Sequence, residues 1–406
     1  MKRKHILTTA ALMLLSVALT YCITLYAAER EYNALLADLS QKEQEYARIA
    51  EVRSYIDKYY VGEVNEKNIT DGALYGMVAM LGDKWSYYLT ADQFASVSNS
   101  TNNKIYGIGI NAAYDEERGA VVVLDVFENS PAEEAKIQPL DKIVRIDGEE
   151  VAKIGYDAAV KKITGTAGTA VSITIEREGT QAPIGMSITR REVDVQGINS
   201  KILDGNIGYI RILNFDANVD KDFIAALENL KKANVTGLVF DVRNNPGGLM
   251  QVLVNVLDPL LPEGTIISEE DKNGKKNVYS SDKNELDLPM AVLTNGYSIS
   301  AAEFFAAALS EADKAVVVGE PTTGKGVAQS HIKLRDGSGI ILSVSRYYTA
   351  SGKSLEEMGG IVPDKLIEFT EEENRRFYFM SEKEDRQLQG AIEEINKKTA
   401  EKKQGE

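Results

Sequence analysis

The hydrophobic and polar positions of this chain change rhythm several times, and each rhythm predicts a different kind of element. Ile6 to Ala28 carries no charge, follows Lys2-Arg3-Lys4 and stops at Glu29-Arg30. As a helix this stretch would rise about 34 Å, enough for a bilayer core. It predicts a single transmembrane helix, and the basic flank puts the N-terminus in the cytoplasm and the rest outside a bacterial cell. A cleaved signal peptide fits less well, because its apolar region is shorter and Leu25-Tyr26-Ala27 is a poor cleavage site. From 29 to 100 the apolar residues take helical spacing, with a narrow stripe at Tyr32, Leu35, Leu36 and Leu39. From 101 to 190 short β-rich runs alternate with Gly and Asp turns, as in Ala120 to Leu124, Ile143 to Ile146 and Val171 to Ile175. Between them Ser130-Pro131 starts a helix with a serine cap and proline at its first position.

From 191 to 365 strands and helices interleave. Ile207 to Ile212 reads as a strand, and Asp220 to Lys232 as a helix with Phe223, Ile224, Leu227 and Leu230 on one face. Gly237 to Arg243 is a buried strand, and Leu249 to Leu257 a further helix. Met290 to Thr294 and Ala315 to Val318 are apolar strands on either side of the Ala-rich helix containing Phe304 to Leu309. This βαβα order predicts an α/β core. Ser268 to Leu288 is polar around Asn273-Gly274, an exposed hairpin. The tail, 366 to 406, is charged, with helical spacing at Leu388, Ala391, Ile392 and Ile395. Packing on the core and an oligomer contact both remain open for it.

Composition narrows the chemistry. Net charge is -15, which argues against a nucleic-acid partner. There are two histidines, His5 and His331, and one cysteine, Cys22. A cysteine nucleophile, a disulfide framework and Cys/His zinc sites are excluded, and no metal or other cofactor is implied. A Ser-His-Asp triad could use only His331, which lies in an alternating, strand-like run. A serine enzyme built from this chain needs another base, and lysine is the known substitute.

Ser300 falls where the strand Met290 to Thr294 gives way to a helix, a position with free backbone N–H groups. Ser300-Ala301-Ala302-Glu303 reads equally as a helix capping box. Lys325 stands between glycines in Gly324-Lys325-Gly326, which allow close packing and desolvation, conditions that lower a lysine pKa. In an extended run Gln329 would face the same way as Lys325 and could orient its ammonium. Asn245-Pro246-Gly247-Gly248 follows a buried strand and predicts a tight turn with free N–H groups, suited to an oxyanion.

Residues 101 to 190 resemble a PDZ domain through Tyr106-Gly107-Ile108-Gly109-Ile110, Asn129-Ser130-Pro131-Ala132 and Leu140-Asp141-Lys142-Ile143-Val144-Arg145-Ile146-Asp147-Gly148. The resemblance implies a groove that adds a peptide as an extra strand, with the N–H groups of Gly107, Ile108, Gly109 and Ile110 taking its C-terminal carboxylate. Lys136 to Asp141 lacks the glycines usual at this turn.

The chain from about 50 to 365 resembles the C-terminal processing (tail-specific) peptidases, PDZ-containing serine peptidases of the S41 type. The resemblance rests on Asp241 to Gly248, Thr294-Asn295-Gly296, Ser298 to Glu303, Val318-Gly319-Glu320, Thr323 to Gln329 and Gly360 to Asp364. It implies Ser300 as nucleophile, Lys325 as general base, Gln329 as its orienter, and an oxyanion hole from Ala301 and Gly247 or Gly248. Ile299 and Ala302 depart from the small Ala and Ser usual beside the nucleophile. The implied fold is α/β: a crotonase-like/ClpP-like peptidase core, 191–365, with an inserted β-rich PDZ domain, 101–190. An N-terminal helical region, 29–100, a transmembrane anchor, 1–28, and a charged helical tail, 366–406, complete it. The implied function is a membrane-anchored serine endopeptidase acting on extracytoplasmic proteins with apolar C-terminal tails, its PDZ domain gating the site. A homo-oligomer or an activating partner stays open. The rival readings are a catalytically silent PDZ adaptor and a crotonase-like acyl-CoA enzyme.

Overall fold

The computed structural model describes residues 46–100, 104–194 and 197–405, together with 15, 19–21, 23–26, 29, 30 and 44. Two units are distinguished, residues 1–73 and 74–406.

The larger unit is built on a six-stranded sheet. Its strand order is Ile198–Leu203, Ile207–Ile212, Leu238–Asp241, Met290–Thr294, Ala315–Gly319, Lys365–Leu366. The first pair is antiparallel and every later pair is parallel. The strands Leu238–Asp241, Met290–Thr294 and Ala315–Gly319 are apolar up to their carboxyl ends, where Asp241 and Thr294 stand, because both sheet faces are covered. On one face pack the helices Val219–Lys232, Met250–Leu257 and Ala301–Glu311, around Phe215, Phe223, Phe240 and Phe305. On the other face Leu388, Ala391 and Ile395 of the helix Arg386–Gly405 meet Val239, Ala291, Leu293 and Val318. The tail spacing therefore marks a core-packing helix. In register, Asp241 lies beside Leu293 and Leu293 beside Val318. The loops leaving the carboxyl ends of these strands, beginning at 242, 295 and 320, thus emerge side by side, where open α/β sheets place their sites.

A second sheet is organised by the long strand Gly339–Thr349, which pairs with Tyr87–Leu89, Val327–Lys333 and Gly264–Asp271. Gly264–Asp271 also pairs with Lys276–Ser281 in the hairpin predicted around Asn273-Gly274. The strand Tyr87–Leu89 lies within a stretch read as helical. Three residues are too few to show a period, and only pairing with Gly339, Ile340 and Ile341 makes them a strand.

The β-rich insert has the strand order Ile110–Asp115, Ala120–Val126, Lys142–Ile146, Ala170–Glu176, Ile184–Thr189. Against it lies the helical stretch Val151–Ile163, broken at Gly155 (φ 77, ψ 174). The turn that lacks its usual glycines still takes left-handed backbone, with Lys136 at φ 59 and Leu140 at φ 71. The buried Asp141 carboxylate holds it by accepting the Gln138 N–H at 2.8 Å and the Arg177 guanidinium at 2.6 Å.

The transmembrane helix expected over Ile6 to Ala28 is corrected. Among the described residues no helix is long and apolar enough to cross a membrane. The 20-residue helix Arg386–Gly405 has the length, but charged residues and core packing make it a covering helix. Most of 6–28, and the stripe Tyr32 to Leu39, lie outside the described residues.

Candidate active site

Ser300 follows a turn locked from several sides. The Asn295 N–H donates to Ser298 Oγ at 3.0 Å, and that hydroxyl donates to the Val242 carbonyl at 2.8 Å. The Ile299 N–H donates to the Asn245 carbonyl at 2.9 Å. Held this way, Ser300 takes φ 56, ψ -114, and the buried helix Ala301–Glu311 begins immediately after it. A non-glycine residue in such backbone carries strain of about 1–3 kcal/mol, which persists only where surrounding contacts impose it.

Glu303 is a site residue that the sequence showed only as a capping partner. It is fully buried, and its carboxylate accepts four hydrogen bonds. Oε1 takes Thr322 Oγ1 at 2.5 Å and the Gly324 N–H at 2.6 Å. Oε2 takes the Ser300 N–H at 2.8 Å and the Lys325 N–H at 2.8 Å. One oxygen atom therefore joins the backbones of Ser300 and Lys325, which are 25 positions apart in sequence. The density of donors around Glu303 is the physical condition for a buried carboxylate.

The Lys325 ammonium donates to Gln329 Oε1 at 2.5 Å. Gln329 in turn donates from Nε2 to the Trp85 carbonyl, and the Trp85 ring centroid lies 4.9 Å from Lys325 Nζ. Burial pushes the Lys325 pKa down, against the opposing pull of Glu303 and Asp83. The simple alternation expected from Lys325 to Gln329 does not occur. The strand begins at Val327, and its register shifts between Ala328 and Gln329. The two side chains meet across that irregularity.

Asp83, Trp85 and Ser86 were also missed. Asp83 accepts the Trp85 N–H at 2.9 Å and the Ser86 hydroxyl at 2.5 Å. Ser86 Oγ accepts the Ser343 N–H at 3.0 Å, pinning this loop to the strand Gly339–Thr349. The signal available was Asp83-Lys84-Trp85-Ser86, a polar turn around the chain's one tryptophan. Nothing local points that turn at Lys325. His331, by contrast, is exposed on its strand, where it pairs with Ile341.

The Asn245 side chain shapes the glycine turn. It donates to the Ile212 carbonyl at 2.8 Å and accepts the Gly247 N–H at 2.8 Å. The Gly247 N–H is therefore consumed within the turn, and of the two glycines Gly248 is left as donor. Gly248 forms a parallel bridge with Phe215, in which the Phe215 N–H donates to the Gly247 carbonyl and the Leu249 N–H to the Phe215 carbonyl. That pattern turns Gly248's own N–H away from Phe215. A Cβ at Gly247 would lie 3.0 Å from Ser300 Cβ and 3.1 Å from the Ala301 nitrogen, so this backbone packs directly on the serine. A Cβ at Gly248 (φ 149) would lie 2.5 Å from the Phe215 carbonyl carbon. The Ala301 N–H, at the first helical position, is the other donor of the corner.

Behind the turn, Arg243 is buried between two carboxylates. It donates to Asp241 at 3.0 and 2.6 Å and to Asp385 at 3.0 and 2.8 Å. Burial alone would raise the Asp241 pKa, but the Arg243 charge and hydrogen bonds outweigh it and hold it at about 2. Asp385 begins the tail helix, so the tail is tied to the strand that feeds the glycine turn.

In the β-rich insert, Gly107 ends the strand Lys104–Gly107 and Ile110 begins the edge strand Ile110–Asp115. Between them the Ile108 carbonyl accepts the Ala132 N–H at 2.8 Å and the Gly109 carbonyl accepts the Phe127 N–H at 3.1 Å. Gly109 has φ 82, and a Cβ there would meet Ser130 Cβ at 2.3 Å.

Three family descriptions match the chain: Peptidase family S41 over residues 206–367, PDZ domain over 96–176, and Activating protease CtpB N-terminal domain over 13–93. The Carboxyl-terminal-processing protease of Synechocystis sp. (strain ATCC 27184 / PCC 6803 / Kazusa) is 32% identical over 317 residues, 77% of this chain and 74% of that protein. The Carboxy-terminal processing protease CtpB of Bacillus subtilis (strain 168) is 32% identical over 325 residues, 79% of this chain and 67% of that protein. A solved structure from Bacteroides fragilis NCTC 9343, assigned to the S41 proteases, shares the fold with TM-score 0.58 at 17% identity, covering 83% of this chain and 92% of that one. The chain belongs to the PDZ-containing C-terminal processing peptidases of family S41.

Proposed function

We propose that the protein is a serine endopeptidase in which Ser300 is the nucleophile, Lys325 the general base and Gln329 the residue that orients the lysine. One observation carries this reading: Glu303 Oε2 holds the N–H groups of both Ser300 and Lys325, while the desolvated Lys325 ammonium is tethered to Gln329.

Neutral Lys325 takes the Ser300 hydroxyl proton as Oγ attacks the substrate's scissile carbonyl. The carbonyl oxygen becomes an oxyanion facing the N–H groups of Gly248 and Ala301, each such donor being worth roughly 10²–10³ in rate. The protonated lysine then gives its proton to the leaving amine, and the C–N bond breaks. Water, deprotonated by the same lysine, releases the acyl group from Ser300. Gln329 acts through its contact with Nζ and touches no reacting atom. The groove between the edge strand Ile110–Asp115 and the helical stretch from Val151 takes the substrate's apolar C-terminal tail, with its carboxylate at Gly107 to Ile110. Substrates are thus unstructured protein tails.

The test follows casein cleavage and thermal unfolding together for wild type, Ser300→Ala and Lys325→Ala. Both variants are expected to stay folded and to lose at least about a thousandfold in kcat/KM. Cleavage by Ser300→Ala at the wild-type rate would end the proposal. In the wild type, kcat/KM is expected to rise with pH as Lys325 loses its proton, with a midpoint below that of an ordinary lysine.

A further inference from the structure

Beyond the S41 match lies a short aromatic turn, Phe377–Phe379. Asn244 Nδ2 donates to its Tyr378 hydroxyl at 3.1 Å. Asn244 immediately precedes Asn245, whose side chain holds the Gly247 N–H. It sits in left-handed backbone, φ 59. Its other groups face the serine turn: Oδ1 accepts Asn295 Nδ2 at 2.8 Å, and its N–H donates to Asn295 Oδ1 at 3.0 Å. Tyr378 thus completes the set of contacts that fixes the residue between the two halves of the oxyanion corner. The aromatic turn itself is anchored by cations, with Arg243 Cζ 4.8 Å from the Phe377 ring and Arg211 Cζ 5.3 Å from the Phe377 and Tyr378 rings.

The other side of Tyr378 faces the PDZ domain. A cleft of about 1110 Å³ is lined by Ala112, Tyr114 and Tyr156 from that domain and by Arg376, Tyr378 and Phe379 from the tail. Ala112 and Tyr114 belong to the edge strand, which among the described residues pairs on one side only, with Ala120–Val126. Tyr156 follows the helix break at Gly155. Its hydroxyl donates to the Ala112 carbonyl at 3.2 Å, and its ring lies 5.8 Å from that of Tyr114. Tyr156 therefore occupies the edge where an added strand would lie, and a peptide entering there must move it. Tyr156 and Tyr378 thus line the same cleft from opposite domains, and burial raises the Tyr156 pKa.

We propose that Tyr378 is a positioning residue for the oxyanion corner, and that a peptide added to the edge strand acts on that corner by displacing Tyr156 against it. This rests on the Ser-Lys reading above and names the route by which the PDZ domain reaches the site. The Tyr378 hydroxyl touches no reacting atom. Its hydrogen bond limits the positions open to Asn244, and through Asn245 those of Gly247 and Gly248.

The experiment uses the full chain and compares wild type, Tyr378→Phe and Ser300→Ala on casein, at a temperature where all are folded. It is run with and without a short synthetic peptide ending in a free valine carboxylate, and with the same peptide amidated. Tyr378→Phe keeps the ring and loses one neutral hydrogen bond, so kcat should fall about fivefold with KM unchanged and the unfolding midpoint lowered by no more than about 4 °C. The free-carboxylate peptide should change kcat of the wild type and leave that of Tyr378→Phe unchanged, and the amidated peptide should do neither. Wild-type kcat in Tyr378→Phe, a change confined to KM, or an equal peptide response in both proteins would overturn the proposal. If Ser300→Ala still cleaves, the Ser-Lys reading itself fails. If Ser300→Ala is inert while Tyr378→Phe behaves as wild type, only the role of Tyr378 fails.

Discussion

The serine corner and the PDZ groove belong to one compact unit but are held by different physics. At the corner, buried charge does the fixing. Glu303 spends every lone pair on neighbouring donors, and Arg243 is enclosed by Asp241 and Asp385. Strained backbone at Ser300 and at Asn244 survives because these contacts leave no alternative. The groove is held by apolar packing beneath it and presents an edge strand, a broken helix and the part-exposed Tyr156. The difference teaches where each kind of order is needed. Acyl transfer requires donors and base fixed before the substrate arrives, because reorganisation at that moment is costly. Recognition of varied tails requires a backbone edge that is open, or that can be opened, and side chains that move.

This contrast can be broken most sharply at Glu303. Gln at this position supplies one acceptor oxygen for four donors and adds an amide that must itself find partners. Glu303→Gln should therefore lose at least about 2 kcal/mol of stability and most of its activity even where it remains folded. Urea unfolding beside casein turnover checks both, and a stable, fully active Glu303→Gln would show that the corner is not fixed by this carboxylate.

Gly109→Ala probes the other region. A Cβ there collides with Ser130 in left-handed backbone, at a cost of about 1–3 kcal/mol, so the carboxylate loop must shift. Calorimetry in a Ser300→Ala background should show a loss of about tenfold or more in affinity for the free-carboxylate peptide, about 1.4 kcal/mol. Unchanged affinity would remove Gly107 to Ile110 from the binding loop.

The last effect is confined to acid. Asp241 is held at about 2, below its ordinary 3.8. The unfolded chain then binds more protons, so the stabilisation is complete above the unfolded value and is lost as pH falls through about 2. The contribution is about 2 kcal/mol. The unfolding midpoint of the wild type should drop more steeply across this window than that of Asp241→Asn, which carries no such proton linkage. Parallel curves would show that the buried pair does not couple to pH.

Much of this site was legible in the chain because its chemistry is written in local residues. Ser300 at a strand-to-helix junction, Lys325 between glycines and the Gly247-Gly248 turn each follow from neighbours a few positions away. Glu303 was visible only as a capping partner, because its contacts with Thr322, Gly324 and Lys325 arise from loops of a neighbouring strand. Trp85 could not be assigned, since the strand Tyr87–Leu89 that delivers it exists only by pairing with Gly339–Thr349. The single transmembrane helix expected from the apolar N-terminal stretch was not borne out, since among the described residues no helix is long and apolar enough to cross a membrane.

The sequence by itself determined the α/β order, the PDZ-like insert and the near absence of histidine and cysteine, and from these came the expectation of a serine nucleophile with a lysine base. Periodicity, turn residues and composition are local properties, and they survive being read one segment at a time. Tertiary structure alone decided which glycine keeps a free N–H, which carboxylate joins the serine to the lysine, and that the tail reaches both the groove and the corner. Those outcomes depend on hydrogen bonds between residues far apart in the chain, and a buried donor or acceptor takes whichever partner the fold brings within about 3 Å.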